Sequence, residues 1–200
     1  METITMKTMN YVLSGLGGQG ILFMTKIFAT TALNKGYNIL GAETHGMAQR
    51  GGSVVSHLRI GDAGSSLIRA GAADFLISMD ESEAYRHLPY LKKGGKLFAN
   101  APSNAFPDER VAGYLDKMQI EPYAMEAAKT AMALGSPRST NLAMIAFYSA
   151  FGVGPLSADD LRATVDSISP GPFKEKNLKI FDTCHETGRK IASGDAHGTF

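Results

Sequence analysis

Cysteine is nearly absent: Cys184 is the only one in 200 residues. A single thiol makes no internal disulfide, no zinc site and no iron–sulfur cluster. A reducing, cytoplasmic compartment is the natural expectation. Net charge is almost lacking as well, at a formal +1 from 20 Lys and Arg against 19 Asp and Glu. Bulk electrostatics therefore argue for no nucleic-acid and no membrane partner. No apolar run approaches the roughly 18 residues of a membrane helix. The opening METITMKTMN lacks the apolar stretch of a signal peptide. Internal repeats and low-complexity segments are missing too.

Tryptophan does not occur, while methionine occurs 10 times. Met118, Met125, Met132 and Met144 suit irregular core packing more than an interface. Met47, set among small residues in a loop, suits an interface instead.

Hydrophobic residues make up 44% and charged residues 20%, an ordinary composition for a globular protein. The length suits one domain over residues 1–200, with flexible tails expected at 1–9 and 193–200. Asn10 to Ser14 reads as a buried strand. After a glycine turn, Ile21, Met24, Phe28, Thr31 and Ala32 trace a helical period that stops at Gly36. Tyr37 to Leu40, Ser53 to Ile60 and Asp74 to Met79 read as strands. Asp80 caps a helix through Leu91, which Lys93-Gly94-Gly95 ends, and Lys96 to Ala99 is a further strand. Met118 to Tyr123 adds one more. Helices then follow over Ala124 to Leu134, over Thr140 to Phe151 with Asn141 as its cap, from Ser157, and from Lys174 to about Ile191. Helices between strands predict parallel pairing. The fold class is α/β: a Rossmann-like, mostly parallel sheet with flanking helices and a helical C-terminal part.

Two loops carry the functional signal. Gly15-Leu16-Gly17-Gly18-Gln19-Gly20 fits G-x-G-x-x-G between a strand and a helix. Glycines allow a tight turn, and the helix N-terminus then offers free N–H groups and a positive dipole end to an anion. Glu43 follows at about the spacing of a ribose-binding acid, so dinucleotide binding is one reading. A tight turn with no ligand is another. The second loop is THGMAQRGGS. It brings His45, Gln49 and Arg50 next to Gly51, Gly52 and Ser53. Arg50 suits a phosphate or carboxylate, or equally a fork that pins the loop. His45 is an assisting group or a hydrogen-bonded loop residue.

The segment GLGGQGILFMTKIFATTALNKGYNILGAETHGMAQRGGSVVSHLRIG, Gly15 to Gly61, resembles the gamma-type domain of the 2-oxoacid:ferredoxin oxidoreductases, in its indolepyruvate branch. The likeness continues through DFLISMDESEAYRHLPYLKKGGKLFAN and, more loosely, through NLAMIAFYSAFG to KEKNLKIFD. The resemblance implies a subunit that is inactive alone. Members convert a 2-oxoacid, coenzyme A and oxidised ferredoxin into an acyl-CoA, carbon dioxide and reduced ferredoxin. It places thiamine diphosphate, magnesium and four-iron clusters on a large alpha subunit and none of them on this chain. The absence of a G-D-G followed by N-N, and the single cysteine, agree with that division. The resemblance also implies that Gly15, Gly17, Gly18, Gln19, Gly20, Arg50, Gly51, Gly52 and Ser53 line the cofactor or CoA side of a shared site, with His45, Gln49 and Arg50 assisting, and no residue holding metal. Both loops are expected side by side at the carboxyl ends of the first strands. An isolated chain would expose its partner patch and can form a homodimer. Two other readings stand beside this one: a small NAD(P)-binding oxidoreductase, and a non-catalytic docking subunit.

Overall fold

The computed structural model describes residues 6–45 and 51–194, with His45 described by its backbone alone. Its elements run β1 (Met9–Leu16), α1 (Ile21–Asn34), β2 (Ile39–His45), β3 (Ser53–Ile60), β4 (Ala73–Ser78), α2 (Glu81–His87), β5 (Leu91–Asn100), α3 (Glu109–Met118), β6 (Glu121–Met125), α4 (Ala127–Ala133), α5 (Thr140–Ser149), α6 (Ala158–Ile168) and α7 (Gly171–Ala192).

The strands form one 6-stranded sheet in the order β2-β3-β1-β4-β5-β6. β1 pairs parallel with β4, β4 with β5, and β5 with β6. β3 lies between β1 and β2 and is antiparallel to both. The mostly parallel sheet expected from the sequence is therefore present with one reversed strand. The reason is connection length. Only residues 46–52 join β2 to β3, and a parallel return needs a crossover of about a dozen residues or more.

Alternation along the central strands sorts side chains to opposite faces. Tyr11, Leu13, Phe75, Ile77 and Phe98 join one core with α1, α5, α6 and α7. Val12, Leu76, Leu97 and Ala99 join a second core with α2 and α3. Helix α5 is buried all round, from Asn141 to Ser149. Its nearly unbroken apolar sequence marks a central helix.

Local signals explain most termini. Gly36 closes α1 with φ 78°, and its N–H donates to the Leu33 carbonyl at 2.9 Å. Asp80 caps α2 by accepting from the N–H groups of Ser82 and Glu83. Ser157 and Asp160 form a reciprocal capping box on α6.

Several boundaries differ from expectation. Helix α2 ends at His87, and a 3-10 turn over Leu88–Tyr90 leads straight into β5. Pro89 allows that turn but no longer helix. Lys93-Gly94-Gly95 lies inside β5, in the irregularity where the pairing jumps from Ala73–Leu91 to Phe75–Lys96. Helix α3 has only Leu115 buried, so its apolar pattern is too sparse to announce it. Asn141 does not cap α5. Ser139 holds the cap position after a 3-10 turn over Pro137–Ser139.

Met125 and Met144 are core residues and Met118 packs against the second core, but Met132 is 66% exposed. Met47 lies outside the described residues. Residues 6–9 of the expected N-terminal tail are tied to the sheet. Met6 packs on the core, Thr8 donates to the Asp62 carbonyl at 2.6 Å, and Met9 pairs with Ile60.

Candidate functional site

The site begins where β1 stops. Leu16 is its last residue, and Gln19 closes the turn that follows in both directions. The Leu16 N–H donates to Gln19 Oε1 at 2.7 Å, and the Gln19 N–H donates to the Leu16 carbonyl at 3.1 Å. Gly18 and Gly20 adopt φ of 98° and 82°, the region that favours glycine. Gly15 serves a different need. A Cβ there would lie 2.6 Å from Gln19 Oε1 and 2.9 Å from Met79 Cβ.

The first intrahelical bond of α1 runs from the Met24 N–H to the Gly20 carbonyl at 3.1 Å. The N–H groups of Ile21, Leu22 and Phe23 thus have no helical acceptor. No side chain caps this end, and no acid stands in the first turn. The positive end of the helix is left open.

The second loop lies against the first. The Gly17 N–H donates to the Gly52 carbonyl at 2.8 Å, and the Gly51 N–H donates to the Gly17 carbonyl at 3.3 Å. Leu16 pairs with Ser53 and Gly15 with Val54. The expectation that both loops share the carboxyl end of the sheet therefore holds for Gly51, Gly52 and Ser53. Gln49 and Arg50 lie outside the described residues, as does the side chain of His45. The backbone of His45 ends β2 opposite Val54.

Beside the glycine turn lies a cleft of about 410 Å³. Gly18, Gln19 and Gly20 form one wall, Met79 and Asn100 line it from the ends of β4 and β5, and Arg138 and Asn141 stand opposite. No carboxylate is among the described residues that line it. The two asparagines are structural as well as polar. Asn100 donates to the Met79 carbonyl at 3.1 Å and accepts from the Ala128 N–H at 3.1 Å. Asn141 is buried, accepts from the Leu142 N–H at 2.8 Å and points Nδ2 toward the Gly20 carbonyl at 3.5 Å. Arg138 is exposed and makes no ion pair with another described residue. Side-chain amides and one guanidinium, with no carboxylate among the described lining residues, suit an anion.

Ser53 is turned elsewhere. Its hydroxyl donates to the buried carboxylate of Glu83, so its proton faces α2 and not the cleft. Gln19 keeps its amide nitrogen, since its oxygen holds the turn. Arg138, Asn100 and Asn141 were not singled out as site residues by sequence. The only local sign was the Pro137-Arg138-Ser139 break before an apolar helix.

The dinucleotide reading loses its acid here. Glu43 is exposed on β2 and pairs with Ser56 of β3. β3 separates it from β1, a displacement of roughly 9–10 Å at two strand spacings. A ribose-binding acid needs the strand next to β1. Among the described residues, no group of three or more His, Cys, Asp or Glu is placed to hold an ion. Cys184 is buried, and burial pushes its thiol up to about 12. No described helix is long and apolar enough to cross a membrane.

A family model for pyruvate ferredoxin/flavodoxin oxidoreductase matches residues 10–187. The indolepyruvate oxidoreductase subunit IorB of Pyrococcus horikoshii is 34% identical, with 88% of this chain and 94% of that protein covered. The subunit of the same name from Thermococcus kodakarensis is 35% identical over the same shares. Among solved structures, the gamma subunit of a keto/oxoacid ferredoxin oxidoreductase from Geobacter sulfurreducens superposes with a TM-score of 0.68 at 22% identity, covering 93% of this chain and 99% of that one. A 2-oxoglutarate:ferredoxin oxidoreductase from Magnetococcus marinus gives a TM-score of 0.70 at 19% identity, and there the match spans 94% of this chain but 32% of the longer one.

Proposed function

Because the chain belongs to the pyruvate ferredoxin/flavodoxin oxidoreductase family, we propose that it is the small subunit of a cytoplasmic indolepyruvate-type 2-oxoacid:ferredoxin oxidoreductase. Its partner is a large alpha subunit, its substrate an aryl pyruvate, its co-substrate coenzyme A and its final acceptor ferredoxin. When bound to the large subunit, thiamine diphosphate with magnesium supplies the decarboxylation chemistry and the four-iron clusters carry the electrons away. A single thiol is too few to ligate a four-iron cluster, which supports placing the clusters on the partner. Its contribution is position and charge.

One observation carries this reading: the paired glycine loops beside a cleft with no carboxylate among its described lining residues. The glycine turn that starts α1, Gln19, Asn100 and Arg138 line one volume at the carboxyl ends of the strands. That volume fits a phosphate of coenzyme A or the carboxylate of the oxoacid. Gln49, Arg50 and the imidazole of His45 would add to it from the second loop.

The test is co-expression of the tagged chain with the large subunit from the same genome, followed by anaerobic purification. Ferredoxin or viologen reduction is measured with indolepyruvate, phenylpyruvate, pyruvate and 2-oxoglutarate, each with and without coenzyme A. The expected outcome is coenzyme A-dependent reduction by the aryl pyruvates that disappears when this chain is omitted. A large subunit that turns over at full rate without it would reduce the chain to a docking role. A chain that elutes alone, with no oxoacid active, overturns the proposal.

A further inference from the structure

Helix α2 carries a buried charge that the core does not require. The Glu83 side chain is 2% exposed. Burying a carboxylate is unfavourable unless hydrogen bonds and charges compensate it. Here the compensation comes from three directions. Oε1 accepts from Arg86 Nε at 2.9 Å, and that arginine is 64% exposed. Oε2 accepts from Ser53 Oγ. His87 Nε2 stands 3.3 Å from the same oxygen and 3.5 Å from Ser53 Oγ.

His57, on the same face of β3 as Ser53, accepts from the Ile68 N–H at its Nδ1, at 3.3 Å. Tyr90 stands edge-on to His57 at 5.1 Å and against His87 at 6.0 Å.

What Glu83 grips is a joint. Ser53 is the residue at which the second loop enters the sheet, paired with Leu16 at the end of β1. Its neighbour Gly52 accepts the Gly17 N–H. On the other side, α2 starts just after Met79, which lines the cleft and whose N–H donates to the Ser14 carbonyl at 2.8 Å. A hydroxyl and a carboxylate thus tie the second glycine loop to the helix that leaves the cleft floor.

We infer that Glu83 is a positioning residue: through Ser53 it sets the Gly17, Gly51 and Gly52 bonds that hold the two loops together at the cleft. His87 completes the clamp on the shared oxygen. The clamp itself follows from geometry in this chain alone. Its consequence for turnover rests on the function proposed above.

The test separates those two layers. Amide hydrogen exchange is measured on the full chain by itself, in wild type, Glu83→Gln, Ser53→Ala and Ser53→Thr. Losing a hydrogen bond to a charged group should raise exchange about tenfold or more in peptides covering residues 16–20 and 51–54. Peptides from α5 and α7 should stay at wild-type rates, and Ser53→Thr, which keeps the hydroxyl, should restore protection. If Glu83→Gln fails to fold, Ser53→Ala against Ser53→Thr decides alone. Unchanged exchange in the loop peptides of Ser53→Ala, or equal exchange in its Ala and Thr variants, overturns the clamp. In the co-purified complex, Glu83→Gln should raise KM for oxoacid or coenzyme A by a larger factor than it lowers kcat. Equal loss of kcat and kcat/KM overturns the positioning role. Restored exchange protection in a chain that never assembles an active complex would leave the clamp standing and remove the proposed function.

Discussion

Asn141, in the first turn of α5, stands directly against Gly20 at the start of α1. A Cβ built on Gly20 would lie 2.4 Å from Asn141 Nδ2. The two helices can meet at the cleft only because position 20 has no side chain and takes φ 82°.

Gly20→Ala should therefore be costly twice, through left-handed backbone strain and through the clash with a buried side chain. A loss of about 1–3 kcal/mol is expected. Urea unfolding of the isolated chain measures it. Gly18→Ala offers the comparison, since its φ is 98° but nothing lies within 4 Å of its added Cβ. It should lose only the backbone share. Equal losses at both positions would show that the Asn141 contact yields without cost.

Arg138→Ala tests the cleft electrostatically. The side chain is exposed and pairs with no other described residue, so thermal stability should stay within about 0.5 kcal/mol of wild type. In the assembled complex the KM for the anionic ligand in the cleft should rise about tenfold, the worth of one charge-assisted hydrogen bond. Steady-state titration of oxoacid and of coenzyme A separately tells which of them the guanidinium meets. No change in either KM removes Arg138 from the site.

Acid should weaken the fold before it weakens any carboxylate pair. Burial lowers the pKa of His57, His87 and His185 below the ordinary histidine value of 6.5. Each is neutral when folded, while the unfolded chain binds protons already near 6.5. The unfolded state therefore holds more protons in that window, and stability falls with falling pH. The loss starts as pH drops through about 6.5 and runs on through the folded values. His57 adds a specific cost, because its Nδ1 accepts the Ile68 N–H and cannot do so once protonated. Urea midpoints between pH 8 and 5 should decline below pH 7, and His57→Gln should flatten part of the slope. A midpoint constant to pH 5.5 would contradict the burial of these rings.

The glycine turn, the cap of α2, the start of α6 at Ser157 and the period of α1 were all legible in the sequence. Each depends on residues within one or two turns of one another. The pairing of the two loops was legible through resemblance, and the direction of β3 was legible in principle from the short connection after His45. What could not be read was the company of the cleft. Gly20, Asn100 and the segment from Arg138 to Asn141 are far apart in the chain, and no spacing rule links the three. Glu83 shows the same limit from the other side. By sequence it is a favourable acid in the first turn of a helix, ordinarily a solvated position. Packing α2 on the sheet buries it and turns it onto Ser53.

The sequence by itself thus determined most of the elements, several of the turns between them and the family resemblance, because backbone dihedrals, caps and hydrophobic period are short-range properties. Tertiary structure decided that β3 separates Glu43 from the glycine turn, that Arg138 lines the cleft beside that turn, and that a buried carboxylate grips the second loop. Those outcomes depend on which surfaces exclude water against each other, and burial is a property of the packed chain as a whole.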